Sequence, residues 1–422
     1  MSALPFTCLD DYDPNALSVA RARQFLLDTL QPVAGHERIF VRQALGRVLA
    51  EDVLSPLDVP AHDNSAMDGW AVRFADLAGE RETRLKNVGV AFAGRPFERP
   101  LGAGEAARIM TGAMLPPGAD CVVIQEIAQS VGDEVIIPPG QQLGQNIRRA
   151  GEDLQAGKPA LVAGKRLRPA ELGVIASLGI AEVSVRRRVR VALFSTGDEL
   201  VSIGAPLPPG AVYDSNRYTL WGMLTRLGCE VIDMGVVKDD PTALELALRE
   251  AAACADAIVT SGGVSVGEAD FVKQLMQRLG EVAFWKIAMK PGKPMAFGRI
   301  GNGKESAWLF GLPGNPVAVM VTFYQLVQPA LLKLMGVTPL PEPPTFSARC
   351  IAPIKKGKGR TEFLRGILFQ ENGAWCVRPT GQQGSGMLSS MTQADCFIVL
   401  DAERGSVAPG ELVAVQVFEG LV

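Results

Sequence analysis

The sequence predicts an α/β protein of several domains, with a doubly wound parallel sheet at its centre. Three observations support this prediction. From residue 189 onward, apolar runs of strand length alternate with helical patterns, as in proteins whose parallel strands are joined by helices. Between about 40 and 165, short apolar runs alternate with Pro/Gly clusters, which is typical of a β-rich unit. Beyond the proline-rich segment 339–344, strand-like runs return, and Asn372-Gly373 predicts a type I′ hairpin in a small β-barrel or sandwich.

Each predicted element follows from a local pattern. Apolar residues at helical spacing predict a helix within 14–30, and a Pro at the start with a Gly at the end predicts another over 169–179. In the central region the same criteria predict strands over 189–194, 231–237, 257–260, 282–289, 295–298 and 308–310, and helices over 215–227, 241–255, 268–279 and 316–335. The last region is predicted to hold strands over 346–352, 362–369, 374–378, 396–400 and 412–417.

Composition excludes several classes of protein. With 422 residues, of which 47% are hydrophobic, the chain is long enough for more than one core. A net charge of -3 argues against a general nucleic-acid binder. The 7 cysteines form no CxxC pair, and 2 histidines nearly exclude a His-based triad or a two-histidine metal site. The acidic start lacks a signal-peptide pattern and no apolar run reaches spanning length, so we expect a cytoplasmic protein without membrane partners.

Three glycine-rich loops, each directly after an apolar run, are the strongest functional signal. They span 260–270, 286–294 and 311–316. Glycine lets backbone N–H groups approach phosphate oxygens, so the loops predict a site for a phosphorylated anionic ligand at the carboxyl ends of the strands. An ordinary tight turn is the alternative reading, but it accounts less well for several glycines in one loop. The candidate ligand-binding residues in these loops are Ser261, Gly262, Gly263, Ser265, Gly267, Lys293, Pro313, Gly314 and Pro316.

Charged residues beside these loops are candidates for chemistry. Glu268 and Asp270, beside the first glycine loop, suit a bridging cation such as Mg²⁺, and Asp198 and Glu199 end a strand where a metal could bind. The alternative is structural, because Asp198 and Glu199 also favour a helix start and Asp270 suits a first helical turn. Lys286 and Lys290 are four residues apart on a strand-like segment, so we expect them on one face, where they either bind a small dianion or are merely solvated.

Polar breaks in the first half of the chain carry fewer clues. The segments around Asp63, Thr111 and Asp153 are dense in turn-forming residues, and loops with Asx-turns explain them adequately. Nothing internal to the sequence connects these segments to the glycine loops of the sheet.

Taken together, the motifs resemble one family over nearly the whole chain. In order they are Asp63-Asn-Ser-Ala-Met-Asp-Gly69, Met110-Thr-Gly112, Arg149-Ala-Gly-Glu-Asp153, Ser195-Thr-Gly-Asp-Glu-Leu200, Ser261-Gly-Gly-Val-Ser-Val-Gly-Glu-Ala-Asp270, Lys290-Pro-Gly-Lys-Pro294, Gly311-Leu-Pro-Gly-Asn-Pro316 and Gly381-Gln-Gln-Gly-Ser385. This set is similar to that of the molybdopterin molybdenumtransferases, a family that also includes the E-domain of gephyrin.

The resemblance implies a domain organisation and a reaction. It implies a discontinuous linker domain (1–57 with 151–188), an inserted β-rich domain (58–150), a molybdopterin-binding α/β domain (189–338) and a C-terminal β-barrel (339–422). The implied protein is a homodimer whose site lies between the α/β domain of one subunit and the inserted domain of the other. It would insert molybdate into adenylylated molybdopterin with release of AMP, and it would use Mg²⁺. Other proteins of cofactor biosynthesis would be its partners.

The resemblance also implies roles for individual residues. It gives catalytic roles to Asp63, Thr111, Glu199, Asp239, Asp270, Lys286 and Lys290, with Asp153 as a weaker candidate, and metal binding to Glu199, Asp239 and Asp270. It adds Arg365 and Ser385 to the ligand-binding residues, although the sequence leaves open which serine in 385–390 contacts the anion. A gephyrin-like scaffold, an adenylyltransferase that activates molybdopterin and a tungstate-inserting enzyme are the alternatives. Against the scaffold, we find no appended linker or second enzymatic domain in this sequence. Against the adenylyltransferase, that family would resemble the α/β domain alone.

Overall fold

A computed structural model describes residues 16–262, 270–303 and 305–418, without the side chains of residues 270–273. The first layer is built from two distant parts of the chain. Strand His36–Phe40 pairs antiparallel with Glu182–Arg186, and Val53–Leu54 pairs with Pro159–Leu161. Helix Pro169–Ser177 packs on this layer around a small apolar core. The 3₁₀ turn Val41–Gln43 also belongs to this layer.

The start of helix Pro169–Ser177 is held by a buried carboxylate. Glu171 accepts hydrogen bonds from the Arg168 N–H (3.0 Å) and guanidinium (3.1 Å), and the Lys165 ammonium lies 3.3 Å away. The Arg168 side chain, followed by its N–H and by Lys165, lowers the pKa of Glu171 from 4.5 to about 2 against the opposing effect of burial. The ionised form is therefore the one that the fold stabilises.

We expect Glu171→Gln to destabilise the protein by about 1–2 kcal/mol at pH 7, and by less in acid. Because the folded-state pKa is depressed, the contribution of Glu171 is full above pH 4.5 and is lost as pH falls toward 2. Urea unfolding of the wild-type and Glu171→Gln proteins at pH 7, 5 and 4 measures the gap between their free energies of unfolding. Glu134→Gln, which breaks an exposed pair with Arg84, should stay near zero throughout. A gap that widens in acid would contradict the role given to Glu171.

The second unit is a six-stranded sheet inserted into this layer. Short strands Asn64–Ser65 and Ile147–Arg148 pair where the chain enters and leaves it. Apolar residues cover both faces of this sheet. The 3₁₀ turn Phe74–Asp76 follows strand Gly69–Val72. Its strands, in spatial order, are Cys121–Ile124, Gly69–Val72, Glu105–Ile109, Thr83–Ala91, Glu134–Ile137 and Gln129–Val131.

The central sheet is mixed rather than wholly parallel. The strands Glu230–Val237, Arg190–Thr196, Ala257–Ser261 and Glu305–Leu312 are parallel to one another. Strand Pro294–Asn302 runs antiparallel to both of its neighbours. Only two residues separate Pro294–Asn302 from Glu305–Leu312, and a connection of that length permits only an antiparallel pair. In spatial order the strands are Glu230–Val237, Arg190–Thr196, Ala257–Ser261, Glu305–Leu312, Pro294–Asn302 and Gly280–Lys286, with the small pair Leu200–Val201 and Val212–Tyr213 beside them.

Helices cover both faces of the central sheet, which confirms the doubly wound prediction. Helices Pro241–Cys254 and Asp270–Leu279 pack on one face. Helix Ser215–Leu227, helix Val19–Thr29 and the long helical segment 316–334 pack on the other. The carboxyl ends of the parallel strands remain uncovered by these helices, and the glycine loops follow directly from them.

The long segment corrects one expectation. It consists of Pro316–Thr322, a π-helical turn at Phe323–Val327 and Gln328–Leu334. Within the described ranges, this predicted helix is the one long and apolar enough by composition to cross a membrane, although no apolar run of the sequence was expected to reach spanning length. Because 83% of it is buried inside the protein, it has the setting of a core helix.

The last unit is a closed five-stranded barrel. Strand Thr361–Glu371 pairs with both Ala374–Pro379 and Cys396–Leu400, and Thr345–Cys350 and Leu412–Val417 complete the ring. Asn372 and Gly373 adopt φ values of 51° and 77°, which confirms the predicted hairpin turn. A short helix, Ser389–Thr392, precedes Cys396–Leu400. The two-residue strand Met289–Lys290 from the central region pairs in parallel with the start of Thr361–Glu371.

Candidate active site

A cleft of about 1030 Å³ lies between the central sheet and the barrel. The loop 287–294 and the segment 313–318 form its sheet side. Residues 357–360 and 383–385 form its barrel side, and Ala16 completes the lining. Two of the three predicted glycine loops therefore meet here. Pro313 and Gly314 line the cleft, and Pro316 is the first residue of the adjoining helix.

The loop that carries Lys290 and Lys293 is fixed on both sides. A Cβ at Gly292, where φ is 101°, would lie 2.4 Å from the hydroxyl of Thr322, so only glycine lets the loop approach the long helix this closely. On the other side, Met289–Lys290 is hydrogen-bonded to the barrel. Both lysines line the cleft in consequence.

The expectation that Lys286 and Lys290 lie on one face of one strand is wrong. Lys286 is the last residue of strand Gly280–Lys286 and is only 5% exposed, whereas the side chain of Lys290 is 51% exposed. The chain turns between them, because the N–H of Ile287 donates to the carbonyl of Lys293 (2.7 Å). Lys290 lines the cleft, and Lys286 is absent from the described residues that line it.

A buried guanidinium lies at the barrel side of the cleft. Arg365 is 1% exposed, and its Nε and Nη2 donate to Ser390 Oγ (2.9 Å) and the Gly384 carbonyl (3.0 Å). Within the described ranges no carboxylate pairs with it, and burial lowers its pKa. A smaller cavity of about 400 Å³ opens at Arg365 and shares Lys290 with the larger cleft. A buried cation held by neutral acceptors is suited to binding an anion.

Two of the three serines in 385–390, Ser385 and Ser390, have different roles in the structure. Ser385 lines the cleft, and its carbonyl accepts a hydrogen bond from the Val317 N–H (3.0 Å). Ser390 is 5% exposed and its hydroxyl holds Arg365. The sequence did not single out Ser390, since only the fold of the barrel brings its side chain to a residue 25 positions away.

Asn216 connects two of the ligand loops and was also missed. Its Nδ2 donates to Ser261 Oγ (2.8 Å) and to the Gly314 carbonyl (2.6 Å). Gly262 donates its N–H to Leu312 (3.1 Å), which binds the same two strand ends together. Gly263, Ser265 and Gly267 lie outside the described residues, as does the side chain of Asp270.

A buried ion network holds the start of the helix that carries Asn216. Asp214 accepts from Ser195 Oγ (2.9 Å) and from Arg217 Nε (3.0 Å). Arg217 also donates to both carboxylate oxygens of Asp233 (2.7 and 2.9 Å). The network joins strands Arg190–Thr196 and Glu230–Val237 to the first turn of the helix, so the position of Asn216 is set by several elements at once.

Carboxylates gather at the carboxyl ends of two neighbouring strands. The Asp239 N–H donates to Asp198 Oδ1 (3.3 Å), and burial, followed by the nearby charges of Asp198 and Glu199, raises the pKa of Asp239. The short strand Leu200–Val201 follows Glu199, so neither Asp198 nor Glu199 begins a helix, and that part of the structural alternative is wrong. Among the described residues no group of three His, Cys, Asp or Glu side chains is arranged to hold a metal ion.

The three polar motifs of the first half converge in the inserted sheet. Asp63 accepts from the Ala150 N–H (2.8 Å) and from Arg149 (2.6 Å), and these bonds lower its pKa. The Thr111 N–H and hydroxyl both donate to Asp68 (2.7 Å each), which lowers the pKa of Asp68. Asp63, Thr111 and Asp153 are absent from the described residues that line the cleft of the same chain.

Comparisons with known proteins agree with this architecture along the chain. Residues 17–179 match the model of the MoeA N-terminal region (domain I and II), 192–333 that of a probable molybdopterin binding domain, and 347–418 that of the MoeA C-terminal region (domain IV). Among solved structures, a molybdopterin biosynthesis moeA protein from Pyrococcus horikoshii OT3 superposes with a TM-score of 0.81 at 28% identity, covering 96% of this chain and 100% of its own.

Similarity to curated relatives extends over nearly the full length. A molybdopterin molybdenumtransferase from Haemophilus influenzae is 46% identical over 408 residues, covering 96% of this chain and 100% of the relative. One from Bacillus subtilis is 33% identical, covering 90% of this chain and 89% of the relative. Full-length identity at this level, with the three matched regions in the same order, shows that the chain belongs to the molybdopterin molybdenumtransferase family.

Proposed function

We propose that the protein inserts molybdate into adenylylated molybdopterin, with release of AMP and formation of molybdenum cofactor. The observation that carries this proposal is the cleft between sheet and barrel, where the Lys290–Lys293 loop, the 313–318 segment and Ser385 converge beside buried Arg365. A large anionic pterin and a small dianion need such a combination of backbone donors and fixed cations. The names of the relatives refer to molybdenum, so the comparisons do not favour a scaffold or a tungstate enzyme.

In this proposal the cations of the cleft bind molybdate. Lys290 and Lys293 line it, and Arg365 adds a guanidinium whose position is fixed by Ser390 and Gly384. Ammonium groups act as compact point charges, while the guanidinium offers directed donors. The location of Lys286 outside the lining does not support direct contact with the anion, so we retain it only as a buried neighbour of the lysine loop.

The pterin and its nucleotide would bind along the strand ends. Asn216 holds Ser261 and Gly314 together, which fixes the spacing of the two loops before ligand binds. Preorganised loops lose less conformational entropy on binding. Ser261, Gly262, Pro313 and Gly314 are the described members of this surface.

In this proposal Mg²⁺ binds at the carboxylates of the sheet edge, with the phosphate of the substrate completing a ligand set that the described side chains do not complete by themselves. Glu199, Asp239 and the newly placed Asp198 offer oxygen ligands, and Asp270, whose side chain lies outside the described residues, is a further candidate. Burial raises the pKa of Asp239, and the charges of Asp198 and Glu199 add to that effect, which a cation would relieve. Bound there, Mg²⁺ would neutralise charge on the phosphate that is cleaved. The side chains themselves orient the phosphate, and none of them is a histidine or cysteine, the ligands that favour zinc.

We further propose a cytoplasmic homodimer in which each site is shared. Asp63, Thr111 and Asp153 do not line the described cleft of their own chain, yet Asp63 is held ionised at the surface of the inserted sheet. A second copy would bring these residues to the cleft. Other proteins of cofactor biosynthesis would supply the adenylylated substrate.

A reconstituted assay tests the function and its metal requirement. Purified protein, adenylylated molybdopterin and molybdate should release AMP when Mg²⁺ is added, and release should stop with EDTA and return with excess Mg²⁺. The dialysed protein should contain no stoichiometric zinc by elemental analysis. Molybdate-independent AMP release, or none at all, would contradict the proposed reaction, and retained zinc would contradict the metal assignment.

A further inference from the structure

Glu362 is a buried carboxylate placed among the cations of the cleft. It is 4% exposed, near the start of barrel strand Thr361–Glu371. Its Oε1 accepts from Arg360 Nε (3.1 Å), and its Oε2 lies 3.8 Å from Lys290 Nζ. Lys290 and Arg360 both line the larger cleft, and Glu362 lines the smaller cavity beside it. One carboxylate thus faces two of the positive groups that a bound anion would meet.

A buried carboxylate needs compensation, and here the cleft supplies it. The distance to Lys290 is too long for a hydrogen bond, so that contact is a Coulombic one between a flexible ammonium and a fixed carboxylate. Lys290 and Arg360 are about half exposed, with side-chain exposures of 51% and 49%, and are therefore within reach of a ligand. The electrostatic attraction of Lys290 and Arg360 to Glu362 competes with their attraction to an incoming anion.

Holding the barrel to the lysine loop does not require this side chain. Backbone pairing already joins Met289–Lys290 to Thr361–Glu362, with Lys290 opposite Glu362. The Thr361 N–H adds a bond to the Ala288 carbonyl (2.9 Å). The carboxylate therefore calls for an explanation in terms of charge.

We propose that Glu362 is an internal counter-ion that limits the affinity of the cleft for oxyanions, competing with molybdate for Lys290 and Arg360. This inference rests on the proposed function, in which the cleft binds molybdate. Abundant dianions such as sulfate carry the same charge, and a cleft with uncompensated cations would retain them. Glu362 thereby keeps the affinity of the empty cleft for oxyanions low.

Direct binding of anions to the full-length protein without pterin tests the inference. Glu362→Gln keeps the size of the side chain and removes its charge, so molybdate and sulfate should each bind about tenfold more tightly at low ionic strength, with a smaller gain at high salt. Glu362→Asp keeps the charge and should stay close to wild type. Glu371→Gln, at the exposed end of the same strand, is the matched control and should change neither affinity.

Several outcomes would overturn the inference. Binding that is unchanged, weakened or undetectable in Glu362→Gln would contradict it, provided circular dichroism and the thermal midpoint show a folded protein. If Glu362→Gln fails to fold, Glu362→Asp decides. Tighter anion binding by a folded Glu362→Asp protein would contradict an effect of charge, because the charge is kept. Anion affinity equal to that of the wild type would agree with an effect of charge. Tightening for molybdate alone would contradict a counter-ion that acts through charge. The AMP assay is separate, so failure of insertion with normal anion tightening would sink the proposed reaction and leave this inference standing.

Discussion

Asp63→Asn and Asp239→Asn proteins should each lose at least about 100-fold in the rate of AMP release, while their mixture regains activity. Asp63 directly precedes the short strand Asn64–Ser65, where the chain enters the inserted unit, and Asp239 follows the central-sheet strand Glu230–Val237. If each site combines the two regions from different subunits, a mixed dimer has one site with both substitutions and one with neither. Random pairing should then restore about a quarter of the wild-type activity. Co-expression with two affinity tags isolates the mixed dimer for assay.

A matched pair controls for nonspecific rescue. Asp63→Asn mixed with Thr111→Val places both changes in the inserted sheet, so every shared site would carry one of them and activity should stay low. Each protein should remain folded, because the Asp63 side chain is 35% exposed and loss of its ion pair costs on the order of 1 kcal/mol. Equal recovery in both mixtures, or none in either, would argue against a site shared between subunits. Near-wild-type activity of the single variants would remove these carboxylates from the reaction.

Lys290→Ala should raise the molybdate concentration for half-maximal insertion by about tenfold, with binding of adenylylated molybdopterin largely intact. The lysine is a half-exposed point charge in the cleft, whereas the pterin is expected to bind through the backbone of the glycine loops. Lys290→Arg should recover only part of the activity, because a planar fork does not reproduce an ammonium. Titrating molybdate at saturating pterin measures each effect.

Lys158→Ala removes an exposed charge remote in sequence from the cleft and should leave the titration unchanged. If Lys290→Ala instead abolishes pterin binding and leaves the molybdate dependence as it was, the lysine belongs to the phosphate site. That result would reverse the division of the cleft between its two ligands.

Local patterns predicted the parts of the site that follow directly from strands. The loop 311–316 comes after an apolar run, and the rule that ligands bind at the carboxyl ends of parallel strands predicts its position at the cleft that Pro313 and Gly314 line. The barrel hairpin at Asn372-Gly373 followed from turn chemistry alone. In both cases neighbouring residues determine the conformation.

Long-range pairing determined what the sequence could not predict. Lys286 and Lys290 were placed on one strand because nothing local marks Ile287, whose N–H turns back to Lys293, as the point where the chain leaves the sheet. The partner of Lys290 is Glu362, 72 positions away, and that of Arg365 is Ser390. Side chains that act on other side chains across domains leave no periodic pattern to read.

The pairing of Met289–Lys290 with the barrel has a consequence for modularity. A chain ending at residue 338 would retain every strand of the central sheet, yet the lysine loop would lose the backbone partners that Thr361 and Glu362 provide. The anion site that we propose would therefore depend on both the central sheet and the barrel, and the α/β fold would not provide it by itself. Grafting the Lys290-Pro-Gly-Lys-Pro294 motif onto an isolated α/β domain would transfer the sequence of the loop without the barrel contacts that fix its conformation.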